Sequence, residues 1–369
     1  MKELYRLKSL ARIGGWVMAA LFFWLVLSLC IPTFHVTEPK GQLYTIRHQE
    51  LRDNNPLYTD FFLKSIKNHN GWLVLGTSET NPRPKGNYYD FLNADTSLHC
   101  GFSMICGAGR TACTYFPLIQ SNENIRGLKV IFFLNPSYGC GKLAFSNEDY
   151  FDRYVSNAIY RKANRPVNQE VDDILKVNQP VASWFSNIEE SMAYGLERLR
   201  RKYYQDLVFW MKPQKFYDKL VWLRSETVER LPKSCDRPEK SRYNYELNVG
   251  ADFDVHSYTL WPHPESSYRC DELRTMIRLC KAYQVDIVFV LGPHNHIAYK
   301  KVHPEELPKI QEVSENLRQV LEQENAAFID CTDLSTVPGV FADWQHHTSY
   351  GGYLIYQKIK AYVLEKENR

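Results

Sequence analysis

The chain has 369 residues, 44% of them hydrophobic and 24% charged, which suits two domains or one large α/β domain and excludes fibrous and disordered classes. Its formal charge of +3 sits wholly at the N-terminus, where Lys2, Arg6, Lys8 and Arg12 meet only Glu3 within the first 32 residues. The remaining chain is neutral, and a neutral body gives no reason to expect nucleic-acid binding, because phosphate contacts need a surplus of clustered Lys and Arg.

In chain order, residues 1–12 form a basic tail, and 13–32 (IGGWVMAALFFWLVLSLCIP) carry no charge. Twenty residues at about 1.5 Å each span about 30 Å, the thickness of a bilayer core. The positive-inside rule keeps the tail in the cytoplasm and places 33–369 outside it, as a single-pass inner-membrane protein with a periplasmic body. A cleaved signal peptide is the alternative, but the apolar run is long for one, and Pro-Thr-Phe-His-Val follows without a small-residue cleavage site. Leu29 before Cys30 also suits a lipoprotein site poorly. Eight cysteines follow the span: Cys100, Cys106, Cys113, Cys140, Cys235, Cys270, Cys280 and Cys331. An even number in an oxidising compartment predicts disulfides, with buried free thiols as the alternative. No CxxC occurs, which weakens zinc-ribbon and thioredoxin-like readings.

Four apolar runs predict parallel strands: Trp72–Leu75, Leu128–Leu134, Val285–Leu291 and Ala327–Asp330. Helical patterns near 110–122, 271–284, 307–325 and 350–366 alternate with them, which predicts a three-layer α/β fold. Between about 145 and 245 the alternation stops, and a helical insertion is expected there. It reads either as a solvated helical pair on the sheet or as a lid or partner surface carrying Trp184, Phe185, Trp210 and Trp222.

Chemistry-bearing residues fall at the strand ends. Leu75-Gly76-Thr77-Ser78-Glu79 puts a serine just beyond a buried strand, at the sheet edge where open α/β folds bind ligands. Late in the chain, Asp343-Trp-Gln-His346-His347 leads to Gly351-Gly-Tyr353. An Asp three residues before a His, on one loop, can hold the imidazole that activates a serine, and the spacing favours His346 over His347. Cys106-Gly107-Ala108-Gly109-Arg110 offers backbone N–H groups to a substrate oxygen, and Asn135 offers a side-chain donor. Each feature alone is also an ordinary turn. His294 and His296, near His303, could present two imidazoles to a metal at a strand end, but they read mainly as polar lining or a substrate contact, and no metal or cofactor is expected.

The order of these parts resembles the SGNH (GDSL-like) hydrolase superfamily, and within it the D-alanine transfer protein DltD family. The resemblance rests on GTSET (76–80), CGAGRTAC (106–113), FFLNPSYG (132–139), GPHNHIAYKK (292–301) and DWQHHTSYGGY (343–353), together with the N-terminal apolar segment. Thr77 and Tyr353 depart from the family's usual Ser and Trp. The resemblance implies a flavodoxin-like SGNH sheet, a nucleophile at Ser78 with His346 as base and Asp343 orienting it, and oxyanion or substrate contacts at Gly107, Gly109 and Asn135. It also implies a membrane-anchored O-acyltransferase that passes D-alanyl, or a similar acyl group, to an envelope hydroxyl. A membrane-bound O-acyltransferase (DltB-like) would be the partner. The cysteine content suggests a Gram-negative homologue, with lipopolysaccharide or another envelope glycan in place of a teichoic-acid-like acceptor. An esterase or thioesterase with the same residues, and a non-catalytic scaffold for the acyl exporter, are the two alternatives.

Overall fold

A computed structural model describes residues 9, 11–23, 45–47, 56–80, 86–106, 112–121, 123–136, 167, 169–171, 173–174, 235–240 and 265–367. The chain divides into two units, Met1–Glu38 and Pro39–Arg369.

The larger unit is built on a six-stranded, wholly parallel sheet: β1 (Thr45–Arg47), β2 (Trp72–Gly76), β3 (Phe102–Cys106), β4 (Lys129–Leu134), β5 (Asp286–Leu291) and β6 (Ala327–Asp330). The spatial order is β1-β3-β2-β4-β5-β6. Without the short edge strand β1, that is the doubly wound order 2-1-3-4-5, which reverses at β2 and opens a crevice between the carboxyl ends of β2 and β4. The central strands β2, β4 and β5 are continuous apolar runs apart from the first residues of β4 and β5, because both faces are covered.

Alternate side chains serve the two faces. Trp72, Val74, Phe102, Met104, Ile131, Phe133, Val288 and Val290 face one core, which also buries α2 (Tyr88–Ala94) and α7 (Ser349–Glu367) through Tyr88, Phe91, Ile355, Tyr356 and Ile359. On the other face lie Leu73, Leu75, Phe132 and Phe289, where Phe132 packs on Phe289 and on Tyr115 at ring distances of 5.8 and 5.5 Å. The buried residues of α1 (Pro56–Asn68), α3 (Phe116–Ser121), α4 (Glu265–Ala282) and α6 (Leu307–Gln323) complete the third layer. The short α5 (His296–Val302) follows β5. The expected α/β architecture with a parallel sheet is therefore present, and it includes two strands and three helices beyond the clearest sequence signals, β1, β3, α1, α2 and α5.

Three expectations need correction or bounding. The described part of the expected anchor, residues 13–23, is helical, and its Ile13, Trp16, Val17, Met18, Leu21, Phe22 and Phe23 are exposed. No helix among the described residues is long and apolar enough to cross a membrane; Trp24–Pro32 lie outside them. The insertion expected over about 145–245 falls mostly outside the described residues. Its described pieces bury Val167, Val171 and Ile174 and bring Arg237 onto Tyr350, with the guanidinium 5.0 Å from the ring centre. Finally, no disulfide is found among the described cysteines: Cys100, Cys235, Cys270, Cys280 and Cys331 are all thiols. Cys280 and Cys331 are fully buried, each in an apolar layer against the sheet, where a small apolar side chain fits as well as a crosslink. Burial pushes Cys331 up to about 12 and Cys100 up to about 11, so neither is a reactive thiolate. Cys30 and Cys140, and the side chains of Cys106 and Cys113, lie outside the description.

Candidate active site

The crevice between β2 and β4 is shaped first by Gly76. The strand must turn at once into the 3₁₀ turn Ser78–Thr80, and a Cβ at residue 76 would collide with Thr80 Oγ1. The turn is pinned from two sides. Tyr115 donates its hydroxyl to the Gly76 carbonyl at 2.5 Å, and Tyr88 donates to Thr80 Oγ1 at 2.8 Å. Asn87, the N-cap of α2, donates its side-chain N–H to the Glu79 carbonyl at 2.5 Å. Ser78 opens the turn and is the partly exposed member of a buried stretch.

The second wall is the loop before α7. It is closed by Ala342 N–H to His346 carbonyl (2.7 Å) and Thr348 N–H to Val340 carbonyl (2.8 Å), with Phe341 bridged to His347. Gly351 lets the first turn of α7 lie against the Val340 carbonyl, where a Cβ would clash. Asn295, N-cap of α5, donates to the Asp343 carbonyl at 3.1 Å and so ties this loop to the end of β5.

These two walls bring Ser78, His346 and Asp343 into one hydrogen-bonded line. Ser78 Oγ lies 2.9 Å from His346 Nε2, and His346 Nδ1 lies 2.6 Å from Asp343 Oδ2. Asp343 Oδ1 accepts the backbone N–H groups of Gln345 (2.9 Å) and His346 (2.6 Å), so the Asp-x-x-His spacing fixes carboxylate and imidazole together. Burial pushes the Asp343 carboxyl up, but its bonds to the His346 side chain and backbone more than reverse that, and it lies below the ordinary carboxylate range. His347 takes the opposite direction, 3% exposed between the rings of Phe133 and Phe341 at 5.8 and 5.5 Å. A hydroxyl aligned with an imidazole that a carboxylate orients is a geometry for nucleophilic catalysis.

The other expected contacts divide. Asn135 stands just past the end of β4, within the crevice, and gives one of its two side-chain N–H groups to Glu79 Oε1. Gly107 and Gly109 lie outside the described residues. Tyr353 packs edge-on against Phe91 at 5.7 Å, in the core. His294 is 1% exposed, with neither ring nitrogen hydrogen-bonded among the described residues, and its ring lies 4.9 Å from that of Tyr299. Burial pushes it down to about 3 and also lowers His296, so both are neutral imidazoles. His303 caps α5 and meets Glu305 at 3.3 Å instead of joining them. Among the described residues no three His, Cys, Asp or Glu side chains are grouped to hold a metal.

Glu79 is the group that the sequence reading passed over. It is 1% exposed directly beside Ser78, and burial pushes its carboxyl up to about 7 despite the opposing influence of His346 and Asn135. An acid following the strand-end serine was visible in the sequence; its burial, which gives it meaning, was not.

Compared with family models and with curated proteins, the chain matches none.

Proposed function

We propose that the chain is a serine-dependent O-acyltransferase of SGNH-like fold, anchored by its N-terminal apolar segment and acting outside the cytoplasm. The observation that carries this reading is the unbroken Ser78–His346–Asp343 line at the reversal point of a parallel sheet. His346 Nε2 takes the Ser78 hydroxyl proton as Oγ bonds to the donor's acyl carbon. The protonated imidazole then gives that proton to the departing group as the donor's bond breaks. An acceptor hydroxyl next loses its proton to His346 and takes the acyl carbon, and Ser78 regains its hydrogen. Asp343 holds the imidazole in the tautomer this needs. The Ser78 N–H, at the head of its 3₁₀ turn, and Gly107 or Gly109 are the proposed oxyanion donors.

The family resemblance supplies the rest: D-alanyl or a similar acyl group, an envelope glycan, lipopolysaccharide or teichoic-acid-like acceptor, and a DltB-like membrane-bound O-acyltransferase as the source of the acyl group. Helical residues 11–23, with apolar side chains exposed, support the anchor. The test is alkali-labile D-alanine in the envelope of a deletion strain complemented with wild type or with Ser78→Ala. Wild type should restore the ester and Ser78→Ala should not. Equal restoration by the variant would overturn the mechanism, and a deletion that raises the ester content would make the protein a hydrolase.

A further inference from the structure

Glu79 is a buried carboxyl with no Lys or Arg partner among the described residues. Its Oε1 accepts the Asn135 side-chain N–H, and its Oε2 has no hydrogen-bond partner among the described residues. The groups that face it are Asn135 from the end of β4, and His346 and Asp343 from the loop before α7; Asn87 of α2 reaches only its backbone carbonyl. Of these, His346 alone can carry a positive charge, and His346 must be neutral to accept the Ser78 proton.

An ionised Glu79 would therefore be wrong twice over. It would be a charge taken out of water, and the bonds from Asn135 and its own backbone N–H together with the influence of His346 fall short of what burial costs. It would also place a second negative charge beside the oxyanion that forms when Ser78 attacks. The neutral acid avoids both, and its carbonyl oxygen still fixes Asn135. Resting on the function proposed above, we infer that Glu79 is a positioning residue that works as the neutral acid: it holds the Asn135 amide at the Ser78 turn, and loss of its proton switches the triad off. A titration near neutrality agrees with this, since burial pushes the group up to about 7. The site would then be most reactive on the acid side of neutrality, a property set by one residue outside the triad.

The test uses the full chain and a fluorophosphonate probe, which reports serine reactivity without a known substrate. The labelling rate of Ser78 is followed between about pH 5 and pH 9, with Ser78→Ala as the blank. In wild type the rate should fall on the alkaline side with a midpoint near 7. Glu79→Gln keeps the oxygen that Asn135 needs and cannot ionise, so it should keep the acid-side rate and lose the alkaline fall. Glu79→Ala should lower the rate at every pH by about 10-fold or more, as Asn135 loses the carboxyl that aims its amide at the Ser78 turn. A merely structural Glu79 would change rate without moving the profile. Wild type with no alkaline fall, or Glu79→Gln that retains it, overturns this inference and leaves the triad standing. No labelling of Ser78 in wild type overturns both. If Glu79→Gln fails to fold, infrared titration of wild type decides: a protonated carboxyl band persisting above about pH 6 is expected, well beyond an ordinary carboxylic acid, and its absence overturns the proposal.

Discussion

Ser78 and His346 are 268 positions apart in the chain and 2.9 Å apart in the fold, so the site is a product of topology, while each half of it is local. The Asp343–His346 half was readable because the three-residue spacing lets one carboxylate accept both the His346 backbone N–H and its ring N–H. Asp343→Asn keeps the size and can keep the backbone bonds, but it presents the imidazole with a donor group in one orientation and so favours the wrong tautomer. The expected result is a loss of about 10⁴-fold in Ser78 labelling rate with little change in thermal stability. A loss under about tenfold would show that Asp343 does not orient the base. Glu79 and Asn135 show what residue types cannot say. Asn135 was identified as a strand-end donor, and it is one, but one of its side-chain N–H groups is given to a buried acid whose protonation depends on solvent exclusion by two distant segments.

At the scale of elements, the apolar strands and the long amphipathic helices were legible because each repeats its pattern over many residues. The element that supports the nucleophile was not. Helix α2 is seven residues long and aromatic, and its signal is the reciprocal capping of Asn87 and Asp90, where the Asn87 N–H donates to Asp90 at 2.8 Å. That helix presents Tyr88 to Thr80 and Asn87 to Glu79, so its N-terminus is the scaffold of the Ser78 turn. The same turn depends on the missing side chain at Gly76. Gly76→Ala would drive a methyl group into Thr80 and break its bond with Tyr88. Overpacking of this kind costs about 1–3 kcal/mol. Thermal unfolding should show that loss, and labelling of Ser78 should fall with it. An Ala variant as stable and as reactive as wild type would mean that the turn does not need the close approach of strand and Thr80.

Within the Pro39–Arg369 unit, two buried groups titrate in opposite senses and contribute to the dependence of stability on pH, beside the depressed carboxyls of Asp95, Asp330 and Asp343, whose stabilisation is lost at lower pH. Glu79 rises from an ordinary 4.5 to about 7, so between those values the folded chain keeps a proton that the unfolded chain has lost. Its contribution is complete below 4.5 and is lost as pH rises through 7, by at most about 3 kcal/mol. His294 falls from an ordinary 6.5 to about 3, so in that window the unfolded chain takes up a proton that the folded chain refuses. Its contribution is complete above 6.5 and is lost as pH falls towards 3. The two slopes oppose each other where the windows overlap, which predicts a broad optimum on the acid side of neutrality with separable limbs. Glu79→Gln should flatten the alkaline limb alone. His294→Leu should flatten the acid limb between 6.5 and 3, leaving the part due to the depressed carboxyls, and, because it removes two buried ring nitrogens without hydrogen bonds among the described residues, should be neutral or stabilising at pH 7. Urea unfolding of the three proteins across the pH range separates these effects. If His294→Leu kept the whole wild-type acid limb, the depressed carboxyls would govern it, and the neutral imidazole beside Tyr299 would have no part in acid sensitivity.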